Sequence, residues 1–134
     1  MQFKQIWANL AVQDTKRTEK FYTHLGFKLN TSATTPELTS FLFSEESFVI
    51  HFFRRDKLEF AMNEKAASSE KGSEVMFSLS AKSKDEVDNW AANAEQAGGT
   101  IIKNAARHDD GYYYCVFADP DGHKFNALFI EEGM

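Results

Sequence analysis

The pattern that most restricts this chain is a repeated change of period: a strand, a helix, then three strands, written twice. Residues 3–12, FKQIWANLAV, alternate as a strand with Ile6, Ala8, Leu10 and Val12 on one face. Asp14 then offers an N-cap, and TKRTEKFYTHL follows at helical spacing through Phe21, Tyr22 and Leu25. Gly26 stands where a helix ends most easily, because it carries no Cβ to strain. Three short strands come next, FKLNT, TSFLF and SFVIHFF, the last two joined by the polar turn SEES.

After a polar, helix-tolerant stretch from Arg54 to Gly72, the plan recurs. EVMFSLS alternates over residues 74–80, with Val75, Phe77 and Leu79 on one face. Ser83 and Glu86 form a capping-box signature, and a helix runs through Val87, Trp90, Ala91 and Ala94 to Gly98 and Gly99. TIIKN, YYYCVFA and HKFNALFI supply three more strands. Asp119-Pro120-Asp121-Gly122 makes a tight turn between the last two, since proline presets φ at its second position. The expected fold class is therefore α+β: two tandem βαβββ modules forming paired, curved, mixed sheets around a cup. The first half covers about 1–53, the linker about 54–72 and the second half about 73–131, within one domain of 134 residues.

Alternation also assigns faces. With Ile6, Ala8, Leu10 and Val12 against a helix, Trp7, Asn9 and Ala11 face the trough. Phe48, Ile50 and Phe52 go to the helix side, leaving Val49, His51 and Phe53 opposite. Glu74, Met76 and Ser78 oppose Val75, Phe77 and Leu79, and Asn126 lies opposite Phe125 and Ala127. Trp7, His51, Glu74 and Asn126 are expected at matching places in the two halves, lining one hollow.

Composition narrows the function classes. A net charge of −5 argues against nucleic acid or an anionic membrane as partner. No run is apolar enough to span a bilayer, and MQFKQIWANLAV lacks the features of a signal peptide, so a cytoplasmic protein is expected. The single Cys115, inside YYYCVF, reads as a buried strand thiol. Thirteen phenylalanines predict a core or pocket rich in aromatic surface.

The run IWANLAVQDTKRTEKFYTHLGFKLN, with its FY-x-x-LGF helix core, and the closing run FADPDGHKFNALF resemble the vicinal oxygen chelate superfamily. That superfamily also carries the names glyoxalase, bleomycin-resistance and extradiol-dioxygenase. The resemblance is strongest to short bacterial proteins described as predicted lactoylglutathione lyases. It implies a cup between paired sheets, completed by a homodimer. It also implies metal ligands on the first and last strand of each half, here Trp7, His51, Glu74 and Asn126. His51 and Glu74 have metal-binding chemistry; indole has none, and an amide oxygen is a weak donor. A zinc, nickel, manganese or iron ion would thus rest on His51 and Glu74 alone, which falls short of three good donors plus an open position. No firm cofactor is predicted, and a true glyoxalase I is disfavoured.

The primary reading is a binding protein for a small apolar or aromatic molecule. Trp7, Asn9, Phe53, Met76, Tyr113 and Asn126 are its expected contacts. Two alternatives use His51 and Glu74 as catalytic residues: a divalent-metal-dependent lyase, isomerase or transferase, or a metal-free acid–base enzyme in which the carboxylate orients the imidazole. In the linker, Leu58, Phe60 and Met62 suit an apolar lid or a dimer seam. The loop ARHDDGY reads as a solvated turn, and His24 and His123 as surface residues.

Overall fold

Asp14 begins the first helix as its sequence position predicts: its Oδ1 accepts the amides of Lys16 at 2.9 Å and Arg17 at 3.2 Å. The computed structural model of the chain describes residues 1–44 and 48–131. It divides into two compact units, Met1–Ala67 and Ser68–Met134.

In the first unit the order is β1 (Trp7–Val12), α1 (Thr15–His24), β2 (Lys28–Leu29), β3 (Leu38–Leu42), β4 (Val49–Arg54) and α2 (Arg55–Met62). The sheet order is β1-β4-β3-β2. Strands β1 and β4 run parallel, and the other pairings are antiparallel. The α1 crossover places its apolar stripe on one face. Phe21 and Tyr22 are buried there, and the Tyr22 ring stacks on Phe52 with centroids 4.6 Å apart. Phe41 and Phe43 close around Tyr22 at 5.6 Å each. Many of the phenylalanines are therefore core material. Of the SEES turn between β3 and β4, residues 45–47 lie outside the described residues.

The second unit repeats the plan: β5 (Met76–Ala81), α3 (Lys84–Gln96), β6 (Thr100–Arg107), β7 (Tyr113–Ala118) and β8 (Lys124–Phe129), in sheet order β5-β8-β7-β6. Again the outer first strand pairs parallel with the last, β5 with β8. Ser83 caps α3 by accepting the Glu86 amide at 3.1 Å. The reciprocal bond is shifted by one residue: the Glu86 carboxylate accepts from Lys82 rather than from Ser83. Asp85 and Glu86 add favourable charge at the N-terminus of that helix. Its buried face meets β7, where Trp90 stacks on Phe117 and Phe117 on Phe125.

The Asp119–Gly122 turn closes with the Gly122 amide on the Asp119 carbonyl at 2.9 Å. Gly122 has φ +94°, and a Cβ there would lie 2.8 Å from the Ser69 carbonyl carbon. Two features of the residues hold this close approach. Lys124 Nζ donates to the Ser69 carbonyl at 3.0 Å, and Ser69 Oγ lies 3.2 Å from His123 Nδ1. His123 is buried by this packing, contrary to its reading as a surface residue; His24 is exposed as expected.

Three further expectations are corrected or extended. Ile6 and Val75, assigned to helix-covered faces, precede their strands and are 69% and 56% exposed. The helical turn expected through Leu58 and Met62 is extended to a full helix, α2, in which Leu58 is buried while Phe60 and Met62 are exposed. The strand after α3 continues well past Asn104 to Arg107, with register irregularities along it. Among the described residues no helix is long and apolar enough to cross a membrane.

Candidate functional site

Pairing register decides which side chains share a row, because residues directly opposite on neighbouring strands project to the same face. In the first sheet Asn9, His51 and Ser40 stand opposite one another on β1, β4 and β3. Asn30 continues the row beyond β3, its amide donating to the Ser40 carbonyl at 2.8 Å. Apolar rows flank this polar one: Trp7, Val49 and Leu42 on one side, and Ala11, Phe53 and Leu38 on the other. The face opposite α1 is thus apolar with one polar line across it.

His51 is the centre of that line. Its Nδ1 lies 2.9 Å from Ser40 Oγ, which also receives a hydrogen bond from Asn30 Nδ2 at 3.1 Å. Partial burial holds the imidazole below the ordinary histidine range, so the neutral ring prevails near neutral pH. The Trp7 ring meets it edge to face at 6.1 Å, and the Phe53 ring does so at 6.0 Å. A pocket of about 220 Å³ opens here, walled by Ile6, Trp7, Asn30, Ala33, Val49 and His51. It has room for a ring-sized group rather than a whole drug-sized molecule. A larger groove of about 490 Å³ lies between Gly26–Lys28 and Leu42–Ser44; among the described residues, its polar side chains are Lys28 and Ser44.

The sequence expectation that Trp7, Asn9, His51 and Phe53 share a face holds in this unit. Ser40 and Asn30 were missed. The alternation in TSFLF makes Ser40 eligible, yet placing it opposite His51 needs the hairpin register, and a shift of one residue would bring Thr39 or Phe41 there instead.

In the second unit the corresponding row is Ser78, Asn126 and Val116. Asn126 is buried, and its Oδ1 accepts the Ser78 hydroxyl at 2.6 Å. Register also revises the internal match. Trp7 sits one row before His51, paired with Val49, and Met76 sits one row before Asn126, paired with Lys124. The counterpart of Trp7 is therefore Met76, not Glu74. Glu74 stands exposed, two residues ahead of β5.

Tyr113 is also displaced from its expected role. Its hydroxyl donates to Asp88 of α3 at 2.7 Å, which raises the phenol pKa and turns the ring to the helix side of the sheet. Cys115 shares that side, buried against the Val87 carbonyl, and burial pushes its thiol pKa up. In the ARHDDGY loop, His108 Nε2 lies within reach of the Asn104 and Tyr114 carbonyls at 2.9 and 3.0 Å. That loop is a hydrogen-bonded turn rather than a merely solvated one.

The chemistry of the register-matched side chains can be tested against a divalent ion. At the strand places where the resemblance implies ligands, the first unit carries the indole of Trp7 and the imidazole of His51, and the second the thioether of Met76 and the amide of Asn126. Only the imidazole is a good donor for zinc, nickel, manganese or iron, where three are needed. The residues present do not fit a tightly held metal. Among the described residues, no three His, Cys, Asp or Glu side chains gather as a group able to hold one.

The family model described as the glyoxalase/bleomycin resistance protein/dioxygenase superfamily matches residues 4–127. No curated protein matches the sequence. Among solved structures, a hypothetical protein from S. aureus is 26% identical, covering 97% of this chain and 96% of its own, with a TM-score of 0.84. A glyoxalase-related enzyme from Fulvimarina pelagi is 20% identical over 96% of this chain and 89% of its own, with a TM-score of 0.82. A glyoxalase/bleomycin resistance protein/dioxygenase family enzyme from Burkholderia phytofirmans PsJN is 21% identical over 93% of this chain and 97% of its own, with a TM-score of 0.77.

Proposed function

The chain belongs to the glyoxalase/bleomycin resistance protein/dioxygenase superfamily, and from that premise we propose that it binds a small, flat, largely apolar organic molecule without a tightly held metal. The observation that carries this reading is the pocket in which Trp7 and His51 stand edge to face beside apolar rows. Indole supplies a broad apolar wall, and the neutral imidazole supplies a directional polar contact. That combination is typical of ligand pockets, which are mostly apolar with a few polar groups that fix orientation. Asn9, Phe53, Met76 and Asn126 remain proposed contacts; Tyr113, committed to Asp88, does not.

A metal-dependent lyase, isomerase or transferase is the weaker reading, since the side chains at the matched places are poor ligands. The metal-free acid–base reading has one observation in its favour: His51 is held neutral near neutral pH, as a general base must be. It would use His51 and Glu74 together. We further propose a homodimer in the cytoplasm. The dimer is supported by exposed apolar side chains such as Phe60 and Ile130, and the compartment by a lone cysteine that forms no internal disulfide.

The test pairs two measurements on tag-free protein. Planar aromatic compounds are screened by thermal shift, and each hit is titrated against Trp7→Ala. Hits that raise the melting temperature and are lost in the variant support binding at this pocket. Elemental analysis showing a stoichiometric transition metal that disappears in His51→Ala would overturn the metal-free reading.

A further inference from the structure

We infer that Ser40 fixes His51 in the tautomer that carries its proton on Nε2, so that the pocket offers a hydrogen-bond donor and selects ligands bearing an acceptor such as a carbonyl oxygen. The ligand half of this inference rests on the binding reading above; the tautomer half does not.

The argument is one of hydrogen-bond accounting at a buried hydroxyl. Ser40 is fully buried, so its O–H must find an acceptor inside the protein. Two groups lie within reach of Ser40 Oγ among the described residues: Asn30 Nδ2 at 3.1 Å and His51 Nδ1 at 2.9 Å. The first is an amide NH₂, which only donates. On its other side, Asn30 Oδ1 accepts the Ser32 hydroxyl at 3.1 Å. The Ser40 oxygen therefore receives from Asn30, and its proton goes to His51 Nδ1. A neutral imidazole that accepts at Nδ1 carries its hydrogen on Nε2. The backbone reinforces the geometry: Asn30 and Ser40 are joined by a main-chain bond at 2.8 Å, and Ser40 and His51 are register partners.

The consequence is chemical. An Nε2–H group has no lone pair to abstract a proton or bind a cation. It can donate to an oxygen acceptor on a molecule stacked beside Trp7. Protonating His51 would also set an Nδ1–H against the Ser40 hydroxyl proton, forcing that hydroxyl to rotate away from its only acceptor.

Long-range ¹H–¹⁵N correlation on ¹⁵N-histidine-labelled full chain reads the tautomer directly, with His51 assigned by its loss in His51→Gln. The expected result at neutral pH is a protonated Nε2 and an unprotonated Nδ1; the reverse assignment overturns the inference and leaves the binding reading untouched. Ser40→Ala should raise the His51 titration midpoint by roughly half to one pH unit, and Ser40→Thr should restore it. An unchanged midpoint in Ser40→Ala counts against Ser40 as the positioning residue. For the ligand half, acetophenone and ethylbenzene are the probes. His51→Leu should weaken acetophenone roughly five- to tenfold and leave ethylbenzene unaffected. Equal loss of both overturns acceptor selection. If neither binds the native chain, the binding reading fails and the NMR result still decides the tautomer.

Discussion

The Trp7 indole and the His51 imidazole meet edge to face, with ring centroids 6.1 Å apart and planes at 64°. Indole emission is quenched by a neighbouring imidazolium more than by a neutral ring, so Trp7 should report the charge on His51. The chain has two tryptophans, and Trp90→Phe leaves Trp7 as the reporter. Its fluorescence should fall on acidification with a midpoint below the ordinary imidazole value of about 6.5, and His51→Gln should abolish the transition. The sign for stability follows. A histidine whose folded pKa is depressed binds fewer protons when folded. Its contribution is present above the unfolded pKa and is lost as pH falls through the folded one. Urea melts between pH 7 and 5 should therefore lose stability in the native chain more than in His51→Gln.

Gly122 and Gly98 have similar positive φ, +94° and +103°, but different surroundings. A Cβ at Gly98 meets nothing within 4 Å, whereas one at Gly122 lies 2.8 Å from the Ser69 backbone. Gly98→Ala should cost about 1 kcal/mol for the left-handed backbone alone. Gly122→Ala should cost about 2–4 kcal/mol, since backbone must also shift. Chemical denaturation of both variants checks the difference; equal losses would show that the Ser69 segment yields freely.

Thr39 is buried in β3, and its hydroxyl finds no hydrogen-bond partner among the described residues. An orphaned buried hydroxyl costs more than the methyl that would replace it. Thr39→Val should therefore raise stability by about 1 kcal/mol, measured as an increased melting temperature. A clear loss would reveal a partner for that oxygen.

Tyr113 donates to an exposed Asp88 at the surface of α3. Exposed hydrogen bonds to charged groups contribute little against water, so Tyr113→Phe should change stability by less than about 1 kcal/mol. It should leave any aromatic ligand's affinity unchanged, whereas Trp7→Ala should not. Loss of affinity in Tyr113→Phe, read by calorimetric titration, would return this residue to the site.

Much of the architecture was legible before any coordinates. Helix caps, glycine stops and the Asp119–Gly122 turn are local signals, and each occurs within a few residues of the element it bounds. Face assignment also succeeded where a strand is long and paired on both sides, as with Ile50 and Phe52 against α1. It failed at strand entrances: Ile6 and Val75 continue an alternation that the backbone has not yet begun. Met76, rather than Glu74, matches Trp7 for a related reason. A period-two pattern says which side a residue takes, but not which row it occupies.

The amino-acid order by itself determined two βαβββ units, their caps and turns, and the sides of the sheet on which Trp7, His51 and Phe53 project, because these follow from short-range steric and hydrophobic periodicity. Only the tertiary structure decided that Ser40 stands beside His51, that Tyr113 turns to Asp88, and that His123 is buried under Ser69. Those relationships join residues 11, 25 and 54 positions apart. They depend on strand register and chain packing, for which local pattern holds no information.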